Sequence, residues 1–177
     1  MAVRVGILSD THGVIDSDVL SCLSDCEILL HAGDIGPGVL ETLRRETSAE
    51  VFAVAGNNDV AGKWPGDRHG ELAALEESLT IELPGGVVAM EHGHRIWDTR
   101  NYHKRLRARH PSARLVVYGH THVRVIDTGA EPWVVNPGAA GRERTKGGAS
   151  CLVLDAGTRR WSIDEYRFSS RKTRSAV

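Results

Sequence analysis

Residues 3–12 read VRVGILSDTH. Val3 to Leu8 form a short, mostly aliphatic run bounded by polar residues, the pattern of a strand buried on both faces. The chain then turns polar, through Ser9-Asp10-Thr11-His12. Downstream, Asp16 or Ser17 can cap a short helix whose Val19, Leu20 and Leu23 share one face. A second strand is expected from Glu27 to Leu30. Pro37 and Gly38 open a helix carrying Val39, Leu40 and Leu43, and Val51 to Val54 form a third strand. The order is βαβαβ, which argues for parallel pairing of the three strands.

From residue 78 the periodicity changes. Leu79, Ile81 and Leu83 alternate with polar residues, Pro84-Gly85-Gly86 reads as a hairpin turn, and Val87 to Met90 returns as the partner strand. A basic helix is expected between Thr99 and His110, then strands near 114–118, 123–127, 132–135, 150–154 and 160–166. The fold class that follows is α/β, a four-layer sandwich of two mixed β-sheets flanked by helices. One domain is expected over residues 1–168, with Ala61 to Gly70 as a surface loop over the site. The stretch 169–177 reads as a frayed basic tail.

Composition bounds the function. The 177 residues are 41% hydrophobic and 25% charged, a soluble globular balance, and the formal net charge of -1 gives no global attraction to nucleic acid. No apolar run approaches the roughly 20 residues that cross a bilayer, and the N-terminal residues lack a signal-peptide pattern. A cytoplasmic protein without a membrane partner is expected, and self-association is left open. Cys22, Cys26 and Cys151 fit no paired zinc motif or disulfide framework. Cys22 and Cys26 read as small buried residues on one helix.

The chemistry gathers where strands end. Asp10 and His12 follow the first strand, His31-Ala32-Gly33-Asp34 the second, and Gly56-Asn57-Asn58-Asp59 the third. Glu91-His92-Gly93-His94 follows the strand at 87–90, and Gly119-His120-Thr121-His122 follows the one near 114–118. With nine histidines in the chain, a single His-x-His pair says little. Five strand ends bearing Asp, Asn or His say more, because residues beyond the carboxyl ends of parallel strands converge on one crevice. Gly33, Gly56, Gly93 and Gly119 would let the backbone turn sharply there.

In this order, Asp-x-His, Gly-Asp, Gly-Asn-x-Asp, His-Gly-His and Gly-His-Thr-His resemble the calcineurin-like metallophosphoesterases, and most of all their small prokaryotic phosphodiesterases. The resemblance spans about residues 3–140, including Asn136-Pro137-Gly138. It implies two divalent metal ions, one held by Asp10, His12, Asp34 and His122, the other by Asp34, Asn57, His92 and His120. Asp34 would bridge them, and His120 and His122 would serve different ions. Imidazole and carboxylate ligands suit manganese first, with zinc, iron, cobalt or nickel as alternatives. Asp34, Asn58, His92, His120 and His122 form the catalytic set. The implied activity is hydrolysis of a small phosphodiester or cyclic nucleotide by a metal-bridging hydroxide, since metal binding brings the pKa of water to about 7.

Three readings stay open: this phosphodiesterase, a nuclease or phosphomonoesterase of the same chemistry, and a non-catalytic scaffold like the retromer subunit of the superfamily. The scaffold is disfavoured because every ligand position is filled. Asn58 departs from the family, where histidine is common at that position. Asparagine can donate a hydrogen bond but cannot carry charge, so a diester monoanion suits this site better than a monoester dianion. Asp59 is read as orienting its neighbours rather than binding metal, His31 as a satisfied semi-buried histidine and His69 as a loop residue. His94 faces either substrate or an ordinary hydrogen-bond partner. The basic run from Arg100 to His110 is either a solvated helix face or an electropositive rim.

Overall fold

The computed structural model describes residues 2–142 and 144–168; the expected basic tail from Ser169 lies outside the described residues. The first sheet contains strands β1 (Val3–Leu8), β2 (Ile28–His31), β3 (Glu50–Ala53), β9 (Ala149–Ala156) and β10 (Trp161–Phe168). Its order is β10-β9-β1-β2-β3, with β1, β2 and β3 mutually parallel and β9 antiparallel to both β1 and β10. The second contains β4 (Ser78–Leu83), β5 (Gly86–Glu91), β6 (Leu115–Val117), β7 (Val125–Asp127) and β8 (Trp133–Asn136), ordered β4-β5-β6-β8-β7. Here β5, β6 and β8 are parallel. The hairpin pairs Leu83 with Gly86 across Pro84-Gly85.

Period-two alternation assigns each strand residue to a layer. Val5 and Ile7 of β1 share a core with Val88 and Met90 of β5 and with Leu115 and Val117 of β6, so this core lies between the sheets. The intervening residues face outward. Leu8 and Leu29 pack under helices α1 (Ser17–Cys22) and α2 (Val39–Glu46), and Ala89, Val116 and Val134 pack under α4 (Tyr102–Arg109). The four-layer sandwich of helix, sheet, sheet and helix is therefore the architecture. Leu106 is the buried residue of α4, and truncating it to alanine would cost about 2–5 kcal/mol.

Three local readings change. The stretch 61–70 contains two 3₁₀ turns and the start of α3 (His69–Ala73), and Trp64 leaves the surface to join the core beneath α2. A single tryptophan in a polar, glycine-containing stretch carries no periodicity to announce this. Helix α1 ends at Cys22, so Cys26 lies beyond it on the following turn; Cys26 is buried as expected, whereas Cys22 is only half-buried. The basic helix starts later than Thr99, after a 3₁₀ turn over Thr99–Asn101 that Asp98 caps.

Candidate metal centre

Both sheets deliver the carboxyl ends of their parallel strands to one edge. Asp10, His12, Asp34 and His122 each bring one donor atom to within 4.8 Å of all the others. His122 Nε2 lies 3.2 Å from Asp10 Oδ1 and 3.3 Å from His12 Nε2. Asp34 stands between two groups: Oδ2 is 3.9 Å from His12 Nε2, and Oδ1 is 3.5 Å from His92 Nε2. His120 Nδ1 is 3.0 Å from Asn57 Oδ1 at the exposed side, and its ring centroid is 5.3 Å from that of His92. Four of the seven residues expected as metal ligands thus form one cluster, which Asp34 links to His92, with His120 and Asn57 beside it.

The backbone is bent to achieve this. Among the described residues, the non-glycine positions with left-handed φ are Asp10, His12, Asp34, His120, His122 and Arg144. Such a conformation costs on the order of 1–3 kcal/mol per residue and persists only where the surroundings enforce it. Five of the six are expected ligands, and Arg144 Nη2 donates to His12 Nε2 at 2.8 Å. His120 and His122 therefore separate through two left-handed residues, not through the pleat of an extended strand. Gly33 and Gly93 supply φ of +89° and +88°. Gly56 and Gly119 supply space instead: a Cβ on Gly56 would stand 2.2 Å from Asp34 N, and one on Gly119 would stand 2.0 Å from Ser9 Oγ.

Neighbouring groups fix the donors. His92 Nδ1 donates to the Ala32 carbonyl at 2.7 Å, which aims Nε2 at Asp34. The Asn58 backbone N–H donates to Asp34 Oδ1 at 2.7 Å and its side-chain amide to Oδ2 at 2.6 Å, while Lys63 donates to Asn58 Oδ1. Ser9 Oγ and the His120 N–H both donate to Asp10 Oδ2, at 2.7 and 3.1 Å. Asp59 touches none of the expected ligand side chains; it accepts from the amides of Ile35, Gly36 and Gly56, and so clasps the Asp34 loop to the Asn57 loop.

Burial opposes ionisation of Asp34, yet the His92 ring and the Asn58 donors hold its carboxyl well below the usual carboxylate range. Burial likewise opposes a charged His92, and Asp34 outweighs it, raising that ring's pKa. His12 and His120 are pushed down, chiefly by burial, with Arg144 adding to the effect at His12 and His92 at His120.

The residues fit divalent cations. Asp10 Oδ1 and His92 Nε2 are buried without a hydrogen-bond partner, a costly state for polar atoms unless something else answers them. Two imidazole nitrogens 3.3 Å apart, beside two carboxylates, form a donor set suited to a first-row transition metal.

The other histidines divide. His31 is fully buried, with Nε2 2.9 Å from Thr11 Oγ1 and Nδ1 unpartnered, and burial pushes its pKa down to about 4. It is more enclosed and less satisfied than expected. His94 lies beside the cluster, 5.5 Å from the His92 ring and 6.3 Å from the His120 ring between centroids. His69 bonds the carbonyls of Ala61 and Trp64, bracing its own loop. Of the basic run, Arg105, Arg107 and Arg109 pair with Asp98, Asp127 and Glu91. Arg144 and Lys63 stand in the sequence as ordinary loop cations outside any motif.

Fold and cluster together define a two-sheet α/β sandwich with a cluster of Asp and His residues able to hold a metal ion at one edge. The chain belongs to the calcineurin-like phosphoesterases: residues 3–159 match the calcineurin-like phosphoesterase superfamily domain. It is 30% identical over 141 residues to a probable metallophosphoesterase of Mycoplasma pneumoniae, covering 77% of this chain and 78% of that one. It is 25% identical over 144 residues to a phosphodiesterase of Methanocaldococcus jannaschii, covering 77% and 83%. Vps29 of Entamoeba histolytica, solved in complex with zinc, shares the fold with a TM-score of 0.75 at 20% identity, over 96% of this chain and 94% of that chain.

Proposed function

We propose that this protein is a phosphodiesterase that holds two divalent cations, manganese foremost, and hydrolyses small phosphodiesters. The observation that carries the reading is Asp34, whose two oxygens face separate donor groups, one containing His12 and the other His92. Asp10, His12 and His122 would complete the first group, and Asn57, His92 and His120 the second. Cations held there supply Lewis acidity and a nucleophilic water at neutral pH.

The chain's own residues position and discriminate. Asn58 fixes the Asp34 carboxylate through two donors, and the Ala32 carbonyl sets the orientation of His92. Asn57 and His120 are the exposed members, so substrate would meet the site from their side. Asn58 contributes no charge of its own, and its amide is already engaged with Asp34, which supports preference for a diester monoanion. The reading also takes the chain as a cytoplasmic enzyme of small phosphoesters rather than of nucleic acid. No helix among the described residues is long and apolar enough to cross a membrane.

The test is metal analysis of the purified protein, followed by hydrolysis of bis(p-nitrophenyl) phosphate and p-nitrophenyl phosphate with Mn²⁺, Zn²⁺ or Mg²⁺. Two ions per chain and faster diester cleavage are expected. A single ion, or a monoester kcat/KM equal to the diester value, refutes the reading.

A further inference from the structure

A cavity of about 450 Å³ adjoins the metal centre and shares His120 with it. Its walls are rings and aliphatic side chains: Ile96, Tyr102, His103, Tyr118, Val123 and Val125. Thr121 and Lys146 stand at its polar side, where Lys146 donates to the Thr121 carbonyl at 3.1 Å. That volume and that mostly apolar lining, with few polar groups, are those of a small-molecule pocket.

The rings are fixed before any ligand arrives. Tyr102 donates its hydroxyl to the Gly93 carbonyl at 2.7 Å, which ties it to the loop between His92 and His94. His103 Nδ1 donates to Asp127 at 2.7 Å, and its Nε2 is 3.1 Å from the Tyr118 hydroxyl. Their polar ends are engaged and the rings brace one another: Tyr102 and Tyr118 lie 5.0 Å apart between centroids at a 46° tilt, and His103 meets Tyr118 edge-on at 5.7 Å. Pre-set walls lower the ordering cost of binding. Val123, which lines the cavity, is 40% exposed, so apolar surface reaches its mouth.

A second cavity, lined by His92 and His94, is different in kind. It measures about 260 Å³, and its charged side chains answer one another, Arg109 with Glu91 at 2.8 Å and Arg95 with Glu77. An uncharged ring gains nothing there.

We propose that the cavity beside His120 is the subsite for a planar heteroaromatic group, a nucleobase, carried by the phosphoester. This rests on the phosphodiesterase reading for its placement of the phosphate at the metal centre, and it narrows the substrate to small nucleotide diesters. The base would lie within this lining against Tyr102, and Lys146 would meet the anionic end.

The probes are adenosine 5′-monophosphate and ribose 5-phosphate, titrated calorimetrically into the full-length, metal-loaded protein. The nucleotide should bind about tenfold more tightly, the scale of one good ring contact. Val123→Trp, which fills the mouth, should bring nucleotide affinity down to that of ribose 5-phosphate while metal content stays at the wild-type level. Tyr102→Leu should lose part of the preference and serves where the tryptophan variant fails to fold. Equal affinities of the wild type for the two probes, or no binding of either, overturn the subsite. If the nucleotide preference holds while the p-nitrophenyl ester of thymidine 5′-monophosphate remains uncut, the subsite stands and the phosphodiesterase reading falls.

Discussion

Asp59 binds no candidate metal ligand side chain, yet its loss should be among the most damaging single changes near the site. Its carboxylate accepts from Ile35 N at 3.1 Å, Gly36 N at 3.1 Å and Gly56 N at 2.9 Å, and the residue is buried. In Asp59→Ala the Gly36 amide, which is partly exposed, can turn to water. The buried amides of Ile35 and Gly56 cannot. An unsatisfied buried donor costs about 1–3 kcal/mol, so two of them predict a loss of about 4 kcal/mol. For a chain of this length that is a fall in Tm of roughly 8–16 °C. The assay is urea and thermal unfolding in the presence of a chelator, so that metal binding to the folded state does not add to the difference. Asp59→Asn keeps one acceptor oxygen and should lose about half as much. Metal affinity should fall in both variants, because the clasp joins the loop of Asp34 to that of Asn57. A loss below about 1 kcal/mol in Asp59→Ala would mean that water satisfies the freed amides, and the clasp argument would fail.

Asp34→Ala should abolish hydrolysis and lower the occupancy of both ions, measured by metal analysis; retention of both would end its role as the bridge. His122→Ala should chiefly empty the first group and His120→Ala the second, and equal loss of both ions in each variant would contradict the separate assignments. Gly119→Ala forces a methyl to within 2.0 Å of Ser9 Oγ and 2.9 Å of Asp10 Oδ2, so it should lower stability by about 1–3 kcal/mol in thermal unfolding and weaken metal binding. Asn58→His places a group that can carry charge beside Asp34 and should raise monoester relative to diester kcat/KM; proportional changes in both would show that residue 58 only shapes its loop.

The layers were legible because the signals were local and repeated. The order βαβαβ carries the three parallel strands of the first sheet, and Leu79, Ile81 and Leu83 before Pro84-Gly85-Gly86 carry the hairpin of the second, whereas the parallel pairing of β5, β6 and β8 has no such signal in the sequence. The convergence of Asp10, Asp34, Asn57, His92, His120 and His122 was legible for the same reason, since each stands just past a strand end. What the sequence hides is made by loops. Lys63 reaching Asn58 and Arg144 reaching His12 depend on backbone turns that no period encodes, and Trp64 enters the core from a stretch otherwise polar. The left-handed conformations of Asp10, His12, Asp34, His120 and His122 are likewise invisible, because nothing in an Asp or His side chain demands them; tertiary contacts impose them.

The basic run from Arg100 to His110 illustrates how charge counted along a chain can mislead about charge available in space. Arg105, Arg107 and Arg109 are each answered by a carboxylate, so the helix projects less positive field than its sequence suggests. Partly exposed ion pairs contribute only about 0–1 kcal/mol each, so stability alone is a poor account of them. Position is a better one. His103 and Arg107, one helical turn apart on α4, both grip Asp127 of β7, and His103 in turn meets the Tyr118 hydroxyl. The helix is thereby fastened to the second sheet at the wall of the cavity beside His120. The cations that reach the metal centre come instead from loops, with Lys63 on Asn58 and Arg144 on His12. Two cations beside the ligand cluster can meet the charge of a single phosphoryl group there.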